Sequence, residues 1–220
     1  MNLIEEVLEW TEYVVINDKE ESLGIASGYI VQLVSYLKDH PDTSKEVGPL
    51  IGKVKGLQKR IQGLEPIEWV RIGSGELAVG HRPGNKMLRD LKLQGATHLL
   101  TLLSNKEGAR DIATQAAKED LDWIHFPMES AKAPDTLRFE ELRLLFGQMK
   151  EALEDKARIY IHCSAGIHRT GMITHAFFRY LGMTTEESKE MLGKLRQETS
   201  EGVGEERLAF AELFLSDQAR

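Results

Sequence analysis

The chain contains one cysteine, Cys163, and an arginine six residues later, Arg169. They lie in "RIYIHCSAGIHRTG", where a run of β-formers ends at His162 and helix-like sequence begins near Arg169. Between them the small residues Ser164, Ala165 and Gly166 let main-chain N–H groups turn toward one point. Those groups and a helix N-terminus make a cradle for an anion. Ile167 and His168 complete the cradle, and Arg169 offers a two-pronged grip on a tetrahedral oxyanion. A thiol on the rim of such a cradle ionises readily, its pKa falling from about 8.5 to between about 3.5 and 7.5. Cys163 is therefore expected to be a nucleophile aimed at the centre of the bound anion. With a phosphate monoester the product is a phosphocysteine. Thr170 places a hydroxyl where it can stabilise the departing thiolate, His162 can brace the loop through hydrogen bonds, and Gly171 permits close packing at the first helical turn.

"HCSAGIHRTG" is similar to the His-Cys-x5-Arg-Ser/Thr signature of the cysteine-dependent protein tyrosine phosphatase superfamily, agreeing at His162, Cys163, Gly166, Arg169, Thr170 and Gly171. Upstream, "GATHLLTLLSNKEG" followed by "WIHFPMES" resembles the compact dual-specificity branch. The resemblance covers the chain from about Pro66 onward and not the residues before it. It implies a protein tyrosine or dual-specificity phosphatase that uses neither cofactor nor metal and acts on a phosphorylated protein. Two alternatives stay open: a phosphatase of inositol phosphates or other small phosphoesters, and a phospho-ligand binding module with weak turnover. The absence of lysine from the loop favours the phosphoprotein.

The family's proton donor is an aspartate some thirty residues before the cysteine. Here "HFPMESAKAPD" supplies Glu129, just past a strand end, and Asp135, which also suits a helix N-cap; Glu129 is preferred. Ser130 stands near the family's acidic position, and Asp122 lies too early. His168 replaces the usual small residue or lysine and either adds charge to the pocket mouth or turns outward. His81 and Arg82 of "HRPG" read as a solvated loop that can approach the rim, and Gln197 as a helical surface residue.

Positioning these groups requires strands that deliver loops to one edge. "IEWVRI" and "ELAVG" around "GSG", then "THLLTLL", "LDWIHFPM" and "RIYIH", read as strands. Helix-like runs at 85–94, 107–119, 136–154 and 169–181 alternate with them, and two more helices start at Thr185 and Glu205. This pattern predicts an α/β fold, a central mostly parallel sheet flanked by helices, of protein tyrosine phosphatase type. Residues 66–220 form the expected catalytic domain. Residues 1–65 form a helical extension with Leu3, Val7, Trp10 and Val14 at helical spacing, and Ile30, Leu33, Val34 and Leu37 on one face of a second helix. Trp10 and Tyr13 are expected in its core.

The 220 residues carry a formal charge of −7, with 41% hydrophobic and 29% charged residues. That balance excludes a generally basic surface for nucleic acid or anionic membrane. A single cysteine excludes an intrachain disulfide and a cysteine-built zinc site. The acidic, amphipathic start lacks a signal-peptide pattern. The expectation is a cytoplasmic protein whose N-terminal helices mediate self-association or partner binding.

Overall fold

The computed structural model describes residues 2–218, which fall into two compact units, one of the residues up to 66 with 93–95 and the other of 67–92 with those from 96 onward. The first is helical: α1 (Leu3–Tyr13), α2 (Lys19–Asp39) and α3 (Ser44–Gln62). Reciprocal bonds between Asn2 and Glu5 cap α1, and Asp18 accepts from the Glu21 N–H at the start of α2. Such caps satisfy amides that the first turn leaves open. Val7, Ala26, Leu33, Val47, Leu50 and Val54 form the core of this unit. Trp10 joins it edge-to-face with Tyr29, but Tyr13 is 71% exposed, against expectation. Val34 is only partly covered, because the buried stripe of α2 runs through Ala26 and Leu33.

The second unit holds a five-stranded sheet in the order β1-β2-β5-β3-β4. Its strands are β1 (Val70–Ile72), β2 (Gly75–Gly80), β3 (His98–Leu103), β4 (Asp122–Met128) and β5 (Arg158–His162). Only β1 is antiparallel, in a hairpin with β2; β2, β5, β3 and β4 run parallel. Around them lie α4 (Asn85–Leu93), α5 (Ala109–Lys118), α6 (Phe139–Glu154), α7 (His168–Tyr180), α8 (Thr185–Leu195), α9 (Gln197–Gly202), α10 (Glu205–Leu208) and α11 (Phe210–Gln218). The helix from Thr185 is thus two, broken at Arg196, whose backbone is extended at φ −170°.

β5 enters last and lies between β2 and β3. The loops after β2, β3, β4 and β5 therefore open on one edge, with the β5 loop in the middle; ligands of parallel sheets sit at such a point. α7, which follows β5, is buried from Arg169 through Phe178. Its apolar residues Met172, Ile173, Ala176, Phe177 and Phe178 anchor it in the core. Its first turn is consequently as fixed as the sheet. No described helix is long and apolar enough to cross a membrane.

Candidate active site

Cys163 follows β5 directly and is 3% exposed. The loop after it turns through Gly166 at φ +73°, where a Cβ would lie 2.2 Å from the Gly80 carbonyl; glycine alone fits. Three donors from three places hold the loop carbonyls outward. The Arg82 N–H donates to the Ser164 carbonyl (3.0 Å), the Arg196 guanidinium to that of Ala165 (3.0 Å), and the buried Thr199 hydroxyl to that of Gly166 (2.7 Å). With carbonyls committed on the outside, the alternate peptide edge faces inward. The N–H groups of Gly166 and Thr170 point at the Cys163 sulfur. Those of Ser164, Ala165, Ile167, His168 and Arg169 meet no acceptor among the described residues. Gly171 packs closely, since a Cβ there would stand 2.8 Å from the Val203 side chain.

The electrostatics favour a thiolate. Burial pushes the Cys163 pKa up and is the largest single influence. The Thr170 hydroxyl, the Thr170 and Gly166 N–H groups and the Arg169 charge together outweigh it, so the net shift is downward. The Thr170 hydroxyl is buried without a formed hydrogen bond, yet lies close enough to stabilise charge on the sulfur.

Arg169 is aligned before any ligand arrives. Its guanidinium makes a bidentate ion pair with Glu107 (2.7 and 2.8 Å) and donates to the Met128 carbonyl (2.8 Å). The Arg169 hydrogen bonds hold the Glu107 carboxyl down to about 2 despite partial desolvation. Glu107 is itself fixed: its carboxylate accepts from the Ser104 N–H (2.9 Å) and its carbonyl from Arg82 (2.7 Å). The sequence reading places Glu107 at a helix start and assigns it no site role. In the structure it ends a short 3-10 turn, Asn105–Glu107, and α5 starts at Ala109. The signal was there in "SNKEG", a Ser-x-x-Glu capping pattern before a glycine.

His162 is fully buried and neutral, its pKa pushed down to about 4 chiefly by burial. Its hydrogen bonds have one consistent direction. The Cys163 carbonyl can only accept, so the neutral ring carries its proton on Nδ1, and Nε2 accepts from the Thr101 hydroxyl (2.9 Å), which itself accepts from the Trp123 indole N–H (2.9 Å). His162 Nδ1–H then donates to the Cys163 carbonyl (3.1 Å). Thr101 and Trp123, strand residues by sequence pattern, thus support the tautomer that braces the loop.

The two acid candidates separate. Glu129 follows Met128, whose carbonyl binds Arg169, and its exposed carboxylate lies 3.9 Å from Lys106 Nζ. Asp135 is exposed and accepts from the Leu137 N–H (3.0 Å), the N-cap alternative. Ser130 accepts locally from the Lys132 N–H. Asp122 opens β4 at the opposite end of the sheet. His168 is exposed at the start of α7, and His81 is exposed beside Arg82. Gln197 bonds Glu201 on the α9 surface, whereas Arg196 just before it, absent from the sequence reading, holds the loop.

Residues 75–182 match a family described as "Tc-R-P: Polymorphic toxin system, DSP-PTPase phosphatase". No curated protein matches the chain significantly in sequence. Among solved structures, a kinase-associated phosphatase carrying a serine at its catalytic cysteine aligns over 72% of this chain and 98% of its own, at 15% identity and a TM-score of 0.58. Tk-PTP in its active form covers 68% of this chain and 95% of its own, at 18% identity and a TM-score of 0.52. PTPMT1 covers 69% and 98%, at 19% identity and a TM-score of 0.51. At these identities the likeness is one of fold.

Proposed function

We propose that the chain is a phosphatase of the cysteine-dependent protein tyrosine phosphatase superfamily, supported by the family match over residues 75–182, and that it hydrolyses phosphotyrosine esters of proteins through a phosphocysteine at Cys163. The observation that carries this reading is the set of outward-tied carbonyls at Ser164, Ala165 and Gly166, which leaves inward amides around a buried sulfur beside an aligned guanidinium.

In the first step the inward N–H groups and Arg169 hold the three non-bridging phosphate oxygens. The Cys163 thiolate attacks phosphorus, the S–P bond forms, and the ester P–O bond breaks. Glu129 gives its proton to the leaving oxygen. In the second step water attacks phosphorus, Glu129 takes one of its protons, and the P–S bond breaks. The thiolate returns to the amides of Gly166 and Thr170 and to the Thr170 hydroxyl. Electrostatic preorganisation of this kind is the main source of stabilisation when charge develops on the transferred group.

Exposure of Glu129 supports the aryl ester. A phenolate leaves with a conjugate acid of pKa about 10 and asks less of its proton donor than an alkoxide. Asp135, engaged as a cap, is the weaker candidate. Residues 66–220 carry the reaction in this reading. Residues 1–65 serve partner binding or self-association, a role supported by exposed Tyr13 and Val31. A reactive free thiolate suits a reducing cytoplasm.

The test is turnover of p-nitrophenyl phosphate with trapping of the intermediate. Cys163→Ser should abolish turnover and phosphoenzyme while still binding a phosphotyrosine peptide. Phosphoenzyme on any residue other than Cys163 would overturn the assignment, and comparing Glu129→Gln with Asp135→Asn on aryl and alkyl esters decides the acid.

A further inference from the structure

On the α5 side of β4 a cleft of about 390 Å³ is lined by Asn105, Arg110, Ala113, Trp123 and His125. Trp123 and His125 are alternate residues of β4 and stack with centroids 4.6 Å apart at 23°. Their inner polar edges are already used: Trp123 Nε1–H bonds Thr101, and His125 Nε2 bonds the Leu103 carbonyl at 2.8 Å. Their facing ring surfaces cover each other, so what remains for the cleft is the outer surface of the stack and His125 Nδ1. Across from the rings, α5 contributes Ala113, too small to fill the space, and one turn earlier Arg110. The Arg110 guanidinium is exposed and forms no ion pair among the described residues. No carboxylate lines the cleft, although the chain as a whole carries −7. Asn105 closes one end with a free amide, on the same short turn as Glu107.

We propose that this cleft is a second ligand site, separate from the Cys163 loop, that binds a planar aromatic anion. The ring lies against Trp123 and His125, and the negative group pairs with Arg110. Stacking on an aromatic pair rewards a flat ring, an unpaired guanidinium rewards a carboxylate or phosphate fork, and the Asn105 amide can donate to either. An aliphatic anion would leave the ring surface uncovered; a neutral aromatic would leave Arg110 unpaired.

Two probes distinguish the sources of such a ligand: 2-naphthoate for an aromatic acid and adenosine 5′-monophosphate for a nucleotide. Calorimetric titration of the full chain is run with tungstate saturating the oxyanion loop, so that binding at Cys163 does not contribute. The expected result is one-to-one binding of at least one probe in the presence of tungstate. Arg110→Gln should weaken it at least about tenfold, the loss of a charge-assisted contact. Ala113→Leu, which fills the cleft, should abolish it. Both variants should melt and turn over p-nitrophenyl phosphate as the parent chain does, since neither residue belongs to the catalytic machinery. Loss of all binding on adding tungstate, unchanged affinity in both variants, or no binding of either probe at millimolar concentration would overturn the proposal. Because the readout is binding and not turnover, it stands or falls apart from the catalytic role of Cys163.

Discussion

Thr101→Val removes a single oxygen from the interior and tests the brace on the nucleophile. Thr101 is fully buried, accepts from Trp123 and donates to His162 Nε2. Valine preserves shape but leaves the buried Nε2 without a partner, which costs about 1–3 kcal/mol. The Trp123 N–H also loses its acceptor, which keeps the cost within that range. A total near 2 kcal/mol is small beside the roughly 5–15 kcal/mol that holds a domain together, and the variant stays folded for assay. Its melting temperature should drop by about 2–4 °C per kcal/mol lost.

The functional effect follows from tautomerism. Without the Thr101 proton at Nε2, only the Cys163 carbonyl still holds the His162 proton on Nδ1, and the other tautomer gains population. In the other tautomer Nδ1 is an acceptor facing the Cys163 carbonyl, and the loop loses its brace. The turnover number for p-nitrophenyl phosphate should fall about tenfold, equivalent to about 1.4 kcal/mol. Thr101→Ser keeps the hydroxyl and should restore both quantities. Urea unfolding, steady-state kinetics and nitrogen NMR of His162 read the three consequences. A valine variant with parental stability and turnover number, or a serine variant as impaired as the valine one, would refute the reasoning.

Gly166→Ala should eliminate turnover, because the new Cβ meets both a positive φ and the Gly80 backbone at 2.2 Å; circular dichroism should show the rest of the fold intact. Glu107→Gln frees one side of Arg169, and kcat/KM for p-nitrophenyl phosphate should fall by about ten- to a hundredfold as the guanidinium loses its preset orientation. Arg169→Lys should lose about a hundred- to a thousandfold in turnover, the scale for removing oxyanion donors, together with affinity for vanadate. For stability against pH, His162 has a folded pKa near 4, below the unfolded 6.5. The unfolded chain therefore takes up the proton first, and stability falls as pH drops from about 7 toward 4. By pH 5 the loss from His162 is about 2 kcal/mol, visible as a lower urea midpoint that a His162→Asn variant should flatten.

Local pattern placed the candidate nucleophile. "RIYIHCSAGIHRTG" encodes a buried strand, a small-residue turn and a helix start within fourteen residues, and each depends on near neighbours in the chain. The alternation of strands and helices likewise implied a parallel sheet, because parallel strands need crossover connections. The groups that complete the site come from far along the chain, and their side chains carried no local signature of the role. Glu107 looks like a cap, Thr101 like a strand residue, and Arg196 and Thr199 like the surface of a helix. The insertion of β5 between β2 and β3 carries Arg82, Glu107 and Met128 to the loop, and the break at Arg196 turns its guanidinium back toward Ala165. Residue type sets what a side chain can do within its own turn or strand; which distant partner satisfies a buried carbonyl, imidazole or guanidinium is fixed only when the sheet order brings them within hydrogen-bond reach.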